Sequence, residues 1–357
     1  MATIKDVARH AGVSAGTVSN VLNRPGYVAS ETRERVRTAI ADLGFTPTEQ
    51  ARRFRSGRGR TLGLALADLG NPFFVDVALG AEAEANALGV GVVIIHNGED
   101  ATREQHNLDV LVQQRVHGIM ITPVHDDEPR LDRLDGRGIP LVYIDRVSDD
   151  SPRCWVKTDD LAGGRLAGEH LVGLGHRRLA FVGSLGGTAQ VDHRFEGFVA
   201  AVGAAAGSTE RLATESWQID DGRRAGAALA ARPLSELPTA VMCTNDLVAI
   251  GLLIEFAQRG IRVPDDVSVV GFDDLSWAAT SVVPLTTVRQ PRAELGRRAV
   301  RMLLDEIDRG EAHEHHRELL EPEFVVRSST AAPRTSPGLE PAPAPVLTSD
   351  PTSGGPR

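Results

Sequence analysis

Apolar residues at helical spacing mark two short helices at the start of the chain. Those within residues 4–11 share one face of a first helix, and those within residues 15–23 share one face of a second. An interior glycine costs a helix roughly 1 kcal/mol relative to alanine, so Gly12 indicates a corner between two helices. Glycine supplies the left-handed backbone that such a turn needs, and the Ser14 hydroxyl can cap the second helix. The spacing predicts a helix-turn-helix, with an ordinary helical hairpin as the alternative.

The ends of the neighbouring helices carry capping residues. Thr3 followed by Asp6 is a capping-box-like start for the first helix. A third helix is predicted over residues 30–43, with Ser30 as its N-cap and Gly44 as its terminator. The first 44 residues therefore predict a small bundle of three helices.

From residue 61 onward the pattern changes to strands that alternate with helices. The predicted strands are 61–69, 90–98, 117–124, 140–145, 179–184, a segment near 211–217, 239–244 and 267–274. The predicted helices are 71–89, 101–115, a segment around 128–138, 159–174, 192–206, 221–231, 245–259 and 291–309. Continuous apolar strands in this alternation are typical of parallel, doubly wound sheets. Because the rhythm restarts midway, the fold class is α/β with two lobes, whose cleft would lie beyond the carboxyl ends of the strands.

Composition is that of an ordinary globular protein. The 357 residues are 41% hydrophobic and 24% charged. We see no apolar run long enough to span a membrane and no charged-then-apolar leader. Cys154 and Cys243 are the two cysteines in the chain, which favours a reducing compartment and buried core positions for both. We expect a cytoplasmic protein without a membrane partner.

Charge is divided unevenly along the chain. The net charge is −9, but residues 1–60 carry eleven Lys and Arg against five Asp and Glu, so that segment is +6 and the remainder is −15. A basic helical head on an acidic body is the electrostatic pattern of a nucleic-acid binder whose body has another task. A merely solvated basic surface would not explain why this charge coincides with the helix-turn-helix.

Several short patterns suggest other functions and are not supported. The stretch "GSLGG" at 183–187 follows a strand but lacks the dinucleotide-binding spacing. "HEHH" at 313–316 could hold a metal, but a polar loop is the favoured interpretation. No serine–histidine–acid or cysteine–histidine arrangement is legible, so we predict no catalytic residue, no metal and no cofactor. Residues 331–357 are rich in Pro, Ala, Ser and Gly and predict a disordered tail without a leucine heptad.

Ordered sequence blocks along residues 2–330 resemble the lactose-repressor/galactose-repressor (LacI/GalR) family of transcriptional regulators. The blocks include "TIKDVARHAGVSAGTVSNVLN", "VASETRERVRTAIADLGFTP", "ARRFRSGR", "NPFF", "IDR" at 144–146, "LVGLGHRRLAFVG", "CTNDLVAIGLL", "VPDDVSVVGFDD" and "PLTTVRQP". The resemblance implies a DNA-reading headpiece over 1–46, a hinge over 47–60 and a periplasmic-binding-protein-like core over 61–330. It divides the core into lobe 1 (61–158 and 291–321) and lobe 2 (159–290 and 322–330). It further implies a homodimeric repressor on near-palindromic operator DNA, and the tail offers no heptad for a tetramer.

The resemblance also implies which headpiece and hinge residues contact DNA. Ala15, Gly16 and Asn20 take the base-reading positions of the second helix, with Thr17 and Ser19 nearer the phosphates. An asparagine can make a bidentate contact with adenine. Further DNA contacts are implied for Thr3, Ser14, Asn23, Ala51, Arg52, Phe54 and Arg55. The family usually has leucine at Phe54 and asparagine at Thr48; a phenylalanine remains a reasonable wedge between base pairs.

In the core the resemblance implies a cleft that binds a small-molecule effector. The residues it places there are Asp68, Phe73, Phe74, Asp145, Arg194, Trp217, Asn245 and Asp273. Aromatic rings with Asp, Asn and Arg suit a sugar, and a nucleobase sandwiched by Phe73 and Phe74 is the alternative. Three of these residues have alternative roles. Asp145 could pair with Arg146, and Asp273 with a strand-end amide. Asp68 could have no ligand role and serve to shape the turn before Pro72. A transport solute-binding protein would lack the basic head, and a dehydrogenase would carry the glycine fingerprint.

Overall fold

The computed structural model describes residues 3–23, 27–44, 60–124, 138–184 and 188–334, together with residues 131, 134 and 136. Three helices come first: α1 (Ile4–Ala11), α2 (Ala15–Asn23) and α3 (Ser30–Asp42). Two six-stranded sheets flanked by helices follow, which confirms the α/β fold class and the two lobes. Most of the helix predicted around 128–138, the whole of 45–59 and residues 335–357 lie outside the described residues. In the described part, no helix is both long and apolar enough to cross a membrane.

The headpiece forms its corner at the predicted glycine. Gly12 has φ 65°, in the left-handed region, and the Ser14 hydroxyl accepts a hydrogen bond from the Thr17 amide at 3.0 Å. The capping box is present, since the Thr3 and Asp6 side chains each accept from the other's backbone amide. A buried core of small and branched residues joins the helices: Val7, Ala8, Ala11, Val18, Val21, Val36 and Ala39.

The predicted N-cap of α3 is wrong by one residue. Ser30 is the first helical residue, and Ala29 holds the N-cap position without a side-chain hydrogen bond. Separately, the Arg35 guanidinium in the middle of α3 donates to the carbonyl of Ala11 at 2.8 Å and ties α3 to the turn. The sequence signal of a serine before a helix is therefore correct for the helix and wrong for the cap.

Lobe 1 is built on a parallel sheet. Its strands are β1 (Thr61–Leu66), β2 (Gly91–His96), β3 (Ile119–Ile121), β4 (Leu141–Ile144), β5 (Cys154–Thr158) and β11 (Arg317–Leu320), in the order β11-β5-β4-β3-β1-β2. Its helices are α4 (Pro72–Ala87), α5 (Ala101–Gln113) and α11 (Arg292–Arg309). Their apolar faces cover both sides of the sheet, in two buried clusters.

Lobe 2 repeats the plan with one reversed strand. Its strands are β6 (Arg178–Gly183), β7 (Ser208–Ala213), β8 (Ala240–Cys243), β9 (Ser268–Asp273), β10 (Thr286–Arg289) and β12 (Glu323–Val325), in the order β12-β10-β9-β8-β6-β7. Its helices are α6 (Asp160–Gly173), α7 (Ala189–Ala204), α8 (Ile219–Ala230), α9 (Asp246–Gln258) and α10 (Ser276–Thr280). The edge strand β12 pairs antiparallel with β10. After β10 the chain returns to lobe 1 through α11 and β11, and then to lobe 2 through β12.

The sequence pattern does not predict four of the strands, and it misplaces the boundaries of β7. Strands β5, β10, β11 and β12 have three to five residues each, too few for a periodic signal. Strand β7 lies some residues before the predicted 211–217 because it is an edge strand with half-exposed, polar positions. The predicted disorder of the tail is wrong for its first four residues, 331–334. The Ala331 carbonyl lies 2.9 Å from His176 Nε2, and Arg334 donates to the Leu237 carbonyl at 3.0 Å.

Helices α6 and α7 of lobe 2 approach each other through glycine. A Cβ atom on Gly197 would overlap the carbonyl oxygen of Leu161, and one on Gly164 would overlap the carbonyl oxygen of Arg194. Two more helix pairs meet through reciprocal glycines in the same way, Gly222 with Gly251 and Gly80 with Gly296. Because each glycine faces backbone rather than a movable side chain, no larger residue fits without separating the helices.

We predict that Gly197→Ala lowers the free energy of unfolding by about 1–3 kcal/mol, the usual cost of overpacking. Gly203→Ala is the matched control in the same helix, because nothing lies within 4 Å of its added Cβ; it should be neutral or stabilising by up to about 1 kcal/mol. Urea unfolding followed by circular dichroism measures both. Equal stability of the two variants would contradict the close-contact explanation.

Candidate functional site

A cleft lies between the lobes where the parallel strands end. Asp68, Asp145, Thr244 and Gln290 each follow the last residue of a strand within two positions. The space between the lobes measures about 460 Å³, including the part open to solvent. Its lining residues are Asp68, Asn71, Phe73, Phe74, Glu99, Asp145, Arg146, Gln190, Val191, Arg194, Trp217, Gln218, Thr244, Asn245, Asp273 and Gln290. This is the edge at which open α/β sheets bind ligands.

All eight core residues singled out in the sequence line this one cleft. They come from both lobes and from six different parts of the chain, each of which ends or follows a strand. Eight further lining residues were not singled out for the cleft: Asn71, Glu99, Arg146, Gln190, Val191, Gln218, Thr244 and Gln290. Most of these follow a strand directly or open the next helix, so position after a strand could have identified them.

Arg194 is the buried cation of the cleft. It projects from α7, where its Nε donates to Asp160 Oδ1 at 2.7 Å and its Nη1 donates to the carbonyl of Thr244 at 2.8 Å. Its guanidinium carbon lies 3.8 Å from the centroid of the Phe272 ring. Burial raises the pKa of Asp160 to about 6, against the opposing effect of Arg194. The guanidinium is thus fixed by protein groups before any ligand arrives.

Two more carboxyl groups of the cleft are buried beside this guanidinium. Asp273 has φ 115° and accepts from Gln290 Nε2 at 2.7 Å. Burial raises the pKa of Asp273 to about 7, although nearby Arg194 acts to lower it. Asp145 has φ 69°, and burial raises its pKa as well, again opposed by Arg194. The partner of Asp273 is the Gln290 side-chain amide rather than the strand-end amide considered above.

The alternative pairing of Asp145 with Arg146 is wrong. Arg146 makes a bidentate ion pair with Glu99, at 2.5 and 2.6 Å, and its guanidinium lies 4.5 Å from the Trp217 ring centroid. Glu99 and Arg146 belong to lobe 1 and Trp217 to lobe 2, so the stacking bridges the cleft. The ion pair leaves Asp145 available to lobe 2.

Asn245 is held by the helix that it begins. Its Oδ1 accepts from the Val248 amide at 2.9 Å as the N-cap of α9, and its Nδ2 donates to the carbonyl of Trp217 at 3.1 Å. Asn71 likewise caps α4, accepting from Phe73 at 3.0 Å. Both side chains position aromatic neighbours, Asn71 through the helix that carries Phe73 and Asn245 through the backbone of Trp217.

Hydrogen bonds between polar side chains join the two lobes across the cleft. Gln190 Nε2 donates to Asp145 Oδ2 at 2.9 Å, and Gln218 Nε2 donates to Asp68 Oδ2 at 3.0 Å. Asp68 also shapes the turn before α4, because its Oδ1 accepts from the Gly70 amide at 2.7 Å. The same residues that line the cleft therefore hold it closed.

Four buried polar atoms of the cleft lack a hydrogen-bond partner among the described residues: Asp145 Oδ1, Trp217 Nε1, Thr244 Oγ1 and Gln290 Oε1. Buried polar groups are otherwise almost always paired, and leaving one unpaired costs about 1–3 kcal/mol. Acceptors and donors from both lobes are thus available to a small polar molecule.

In the headpiece, α2 presents a polar and open surface. Ala15, Gly16 and Asn20 are exposed, as are Thr3 and Ser14, while Thr17 and Ser19 are half-buried. The hinge residues Ala51, Arg52, Phe54 and Arg55, together with Thr48, lie outside the described residues, and so does the side chain of Asn23. The exposed face of α2 therefore carries small and polar side chains.

Comparisons with known proteins cover nearly the whole chain. A family model described as "Bacterial regulatory proteins, lacI family" matches residues 3–48, and one described as "Periplasmic binding protein-like domain" matches residues 169–330. The chain is 32% identical over 334 residues to the HTH-type transcriptional repressor PurR of Photobacterium profundum, covering 92% of this chain and 98% of that protein.

Two solved structures are similar over the same extent. The transcriptional regulator CelR in complex with cellobiose shares 31% identity at a TM-score of 0.69, over 92% of this chain and all of that one. The lac repressor dimer bound to operator and the anti-inducer ONPF shares 28% identity at a TM-score of 0.80, over 93% of this chain and 99% of that one.

The raised pKa of Asp273 predicts a pH-dependent cost of folding. An ordinary carboxyl ionises near pH 4 in the unfolded chain, whereas Asp273 keeps its proton in the fold until about pH 7. Its contribution therefore becomes more destabilising as pH rises from 4 to 7. Asp273→Asn removes that cost and keeps the oxygen that accepts from Gln290, so it should be more stable than the unsubstituted protein at pH 8.

Thermal unfolding at pH 5 and pH 8 measures this effect. The advantage of Asp273→Asn should be smaller at pH 5. Asp265→Asn, at an exposed carboxyl of the same lobe, serves as the control and should have little effect at either pH. An equal advantage of Asp273→Asn at both pH values would contradict the assignment of the titration to Asp273.

Proposed function

Because the chain belongs to the LacI family of bacterial regulatory proteins, we propose that it is a transcriptional repressor whose operator affinity is set by a small effector, a sugar. The observation that carries this proposal is the cleft between the lobes, which combines unpaired buried polar atoms with bonds that hold it closed. A molecule bound there interacts with both lobes at once. The basic helical head supplies the DNA-binding function.

We infer that the second helix of the headpiece reads bases in the major groove. Asn20 lies exposed on α2 and offers a donor and an acceptor suited to adenine. Ala15 and Gly16 present little or no side chain, which lets the helix backbone approach the groove closely. Thr3, Ser14, Thr17 and Ser19 surround this face with hydroxyl groups that suit phosphate oxygens.

We further propose a homodimer on a near-palindromic DNA site, with an exposed apolar face of α4 at its interface. The similar lac repressor structure is a dimer bound to operator. On this chain Val75 and Leu79 leave apolar side chains exposed on one face of α4, at 38% and 60%. An isologous interface at that face would give the two-fold symmetry that a palindromic operator requires.

We predict that Asn20→Ala weakens binding to the operator by about 1–3 kcal/mol, the worth of a bidentate base contact. Binding to random duplex should change little, because that term depends on charge. Gln258→Ala, at an exposed amide side chain at the end of α9 and outside the proposed dimer face, is the matched control. Fluorescence anisotropy on an operator found by selection measures the affinity, and light scattering should give two chains per duplex.

Two results would count against this assignment. If Asn20→Ala weakened operator and random DNA equally, Asn20 would contact phosphate rather than a base. If light scattering gave one chain per duplex, the proposed dimer would be wrong.

The donors and acceptors of the cleft favour a polyhydroxylated ligand. Asp145 Oδ1 and Gln290 Oε1 accept hydrogen bonds, Trp217 Nε1 donates one, and the Thr244 hydroxyl can do either. Vicinal hydroxyl groups of a sugar match such an alternating set, and the Trp217 ring offers an apolar surface to the carbon face of a pyranose. The similar CelR structure contains cellobiose, which supports this class of ligand.

A nucleobase is the second candidate, because the Trp217 ring already stacks with the planar Arg146 guanidinium at 4.5 Å, and a planar base could stack on it in the same way. The sandwich between Phe73 and Phe74 is wrong. Their centroids lie 5.0 Å apart with an interplanar angle of 87°, so the two rings pack edge to face and leave no slot between them. A base could therefore stack on one side only, which makes the sugar the better fit.

The bonds across the cleft suggest how the effector would act on DNA binding. Gln190 with Asp145 and Gln218 with Asp68 hold the lobes in the closed arrangement. An effector that adds contacts to both lobes favours closure, and one that replaces these bonds favours opening. Operator affinity then changes by as much as the effector prefers one arrangement over the other.

We predict that Trp217→Leu weakens effector binding by up to about tenfold, since an aromatic stacking contact contributes about 0.5–1.5 kcal/mol. Trp277→Leu is the control at a half-exposed tryptophan outside the cleft lining. A thermal-shift panel of mono- and disaccharides, nucleobases and nucleosides finds the effector, and calorimetry measures its affinity for each variant.

Operator binding without effector is measured for both tryptophan variants as well, because Trp217→Leu also removes the stacking with Arg146 across the cleft. Equal effector affinity in Trp217→Leu and the unsubstituted protein would overturn the cleft assignment. If a nucleobase binds and no sugar does, the regulator proposal stands and the sugar is wrong.

A further inference from the structure

A cluster of metal-ligand atoms lies at the edge of lobe 1 away from the cleft. Cys154 is the first residue of β5, Glu306 lies in the last turns of α11, and His313 and His315 lie between α11 and β11. One ligand atom of each falls within 4.8 Å of every other. Cys154 precedes His313 by 159 residues, so only the fold brings these groups together. From the sequence alone, the favoured interpretation of the histidine-rich segment at 313–316 is a polar loop.

The spacing of the ligand atoms suits a tetrahedral metal ion. Cys154 Sγ lies 3.1 Å from His313 Nε2 and 3.5 Å from His315 Nδ1, and His313 Nε2 lies 4.0 Å from Glu306 Oε2. Tetrahedral zinc, with bonds of about 2.3 Å to sulfur and about 2.0–2.1 Å to nitrogen or oxygen, places neighbouring ligand atoms roughly 3.3–3.6 Å apart. Small side-chain adjustments bring all four atoms to that spacing.

Surrounding groups orient these ligands as they do in metal sites. Asp305 Oδ2 lies 3.0 Å from His313 Nδ1, so the carboxylate fixes the ring with Nε2 aimed at the cluster. The backbone amide of His316 donates to Cys154 Sγ at 3.3 Å, which favours the charged form of the sulfur. A carboxylate behind a ligating histidine is the usual second layer of a zinc site.

Burial and access are also appropriate. The His313 side chain is 2% exposed and Cys154 is fully buried, whereas His315 is exposed and leaves an entry path. Burial raises the pKa of the Cys154 thiol to about 11, so a metal ion would have to displace its proton. Thiolate, imidazole and carboxylate together are the ligand types that zinc takes in proteins.

We propose that Cys154, Glu306, His313 and His315 bind one zinc ion, which clamps β5 to α11 and to the segment before β11. The site lies at the amino ends of the parallel strands, the edge at which the chain arrives from the headpiece. Asp308, two residues after Glu306, forms an ion pair with Arg60 directly before β1. The zinc site therefore stiffens the helix end that receives the headpiece connection, and it is independent of the effector cleft.

Cobalt substitution of the full-length protein tests the proposal. The chelator-treated protein is titrated with Co²⁺, whose thiolate charge-transfer band reports sulfur ligation and whose intense visible bands report tetrahedral geometry. We expect one Co²⁺ per chain with both features, and displacement by one equivalent of Zn²⁺. Zinc should also raise the midpoint of thermal unfolding.

Variants separate the site from general metal binding. Cys154→Ser should remove the charge-transfer band, and His315→Ala, at an exposed position that should not affect folding, should weaken Co²⁺ binding at least tenfold. Asp305→Asn should weaken binding about 10–100-fold while keeping the band, as expected for a group that only orients a ligand. His106→Ala and Cys243→Ser are the matched controls and should leave stoichiometry and spectrum unchanged.

Each result of the cobalt experiments either supports or contradicts the zinc site. Loss of the band in Cys154→Ser and weaker binding in His315→Ala, with both controls unchanged, would establish the site. No charge-transfer band in the unsubstituted protein, or metal binding that His315→Ala leaves unchanged, would overturn it. If Cys154→Ser fails to fold, His315→Ala alone decides.

Discussion

Helix backbones of the core approach each other closely at paired glycines, and this close packing sets the positions of the side chains that line the cleft. Gly164 faces the carbonyl of Arg194 itself, and Gly251 faces the carbonyl of Ile219, two residues after Trp217. Gly296 of α11 faces the carbonyl of Val77 in α4, the helix that carries Phe73 and Phe74 in its first turn. A side chain at any of these glycines would move a helix by an amount that the cleft cannot absorb, since its polar contacts require distances near 3 Å.

The second constraint is electrostatic, because the cleft buries three carboxyl groups around one cation. Asp145, Asp160 and Asp273 all have raised pKa values through burial, and Arg194 opposes the rise in each case. Such a set is weak evidence for stability, since burying ions costs several kcal/mol each before any attraction is counted. Such a set suits the recognition proposed above, because its carboxyl oxygens are fixed in advance and one oxygen of Asp145 is unpaired among the described residues.

Much of this arrangement could be predicted from sequence, for identifiable reasons. The corner at Gly12 follows from an apolar spacing that a single helix cannot satisfy, and the cleft residues follow from a rule on where parallel strands end. Glu99 and Gln290 were missed although they also follow strands, because a lone glutamate or glutamine looks like ordinary surface. Cys154 with His313 could not be predicted at all, since the pairing depends on two short strands, β5 and β11, that have no periodic signal.

The parallel sheet of lobe 1 connects the two ends at which the protein acts. Its carboxyl edge carries Asp68 and Asp145, which bond to lobe 2, and its amino edge receives the chain from the headpiece beside Arg60. A sheet covered on both faces by tightly packed helices resists bending, so an effector cannot change the headpiece edge by deforming the sheet. In the function proposed above, the effector would act through rotation of whole lobes about their connecting segments, which would move the headpiece attachments of the proposed dimer relative to each other. Stiffness at the amino edge would then be part of that proposed mechanism, because a firmly held attachment at Arg60 passes lobe rotation on to the chain that leads to the headpiece.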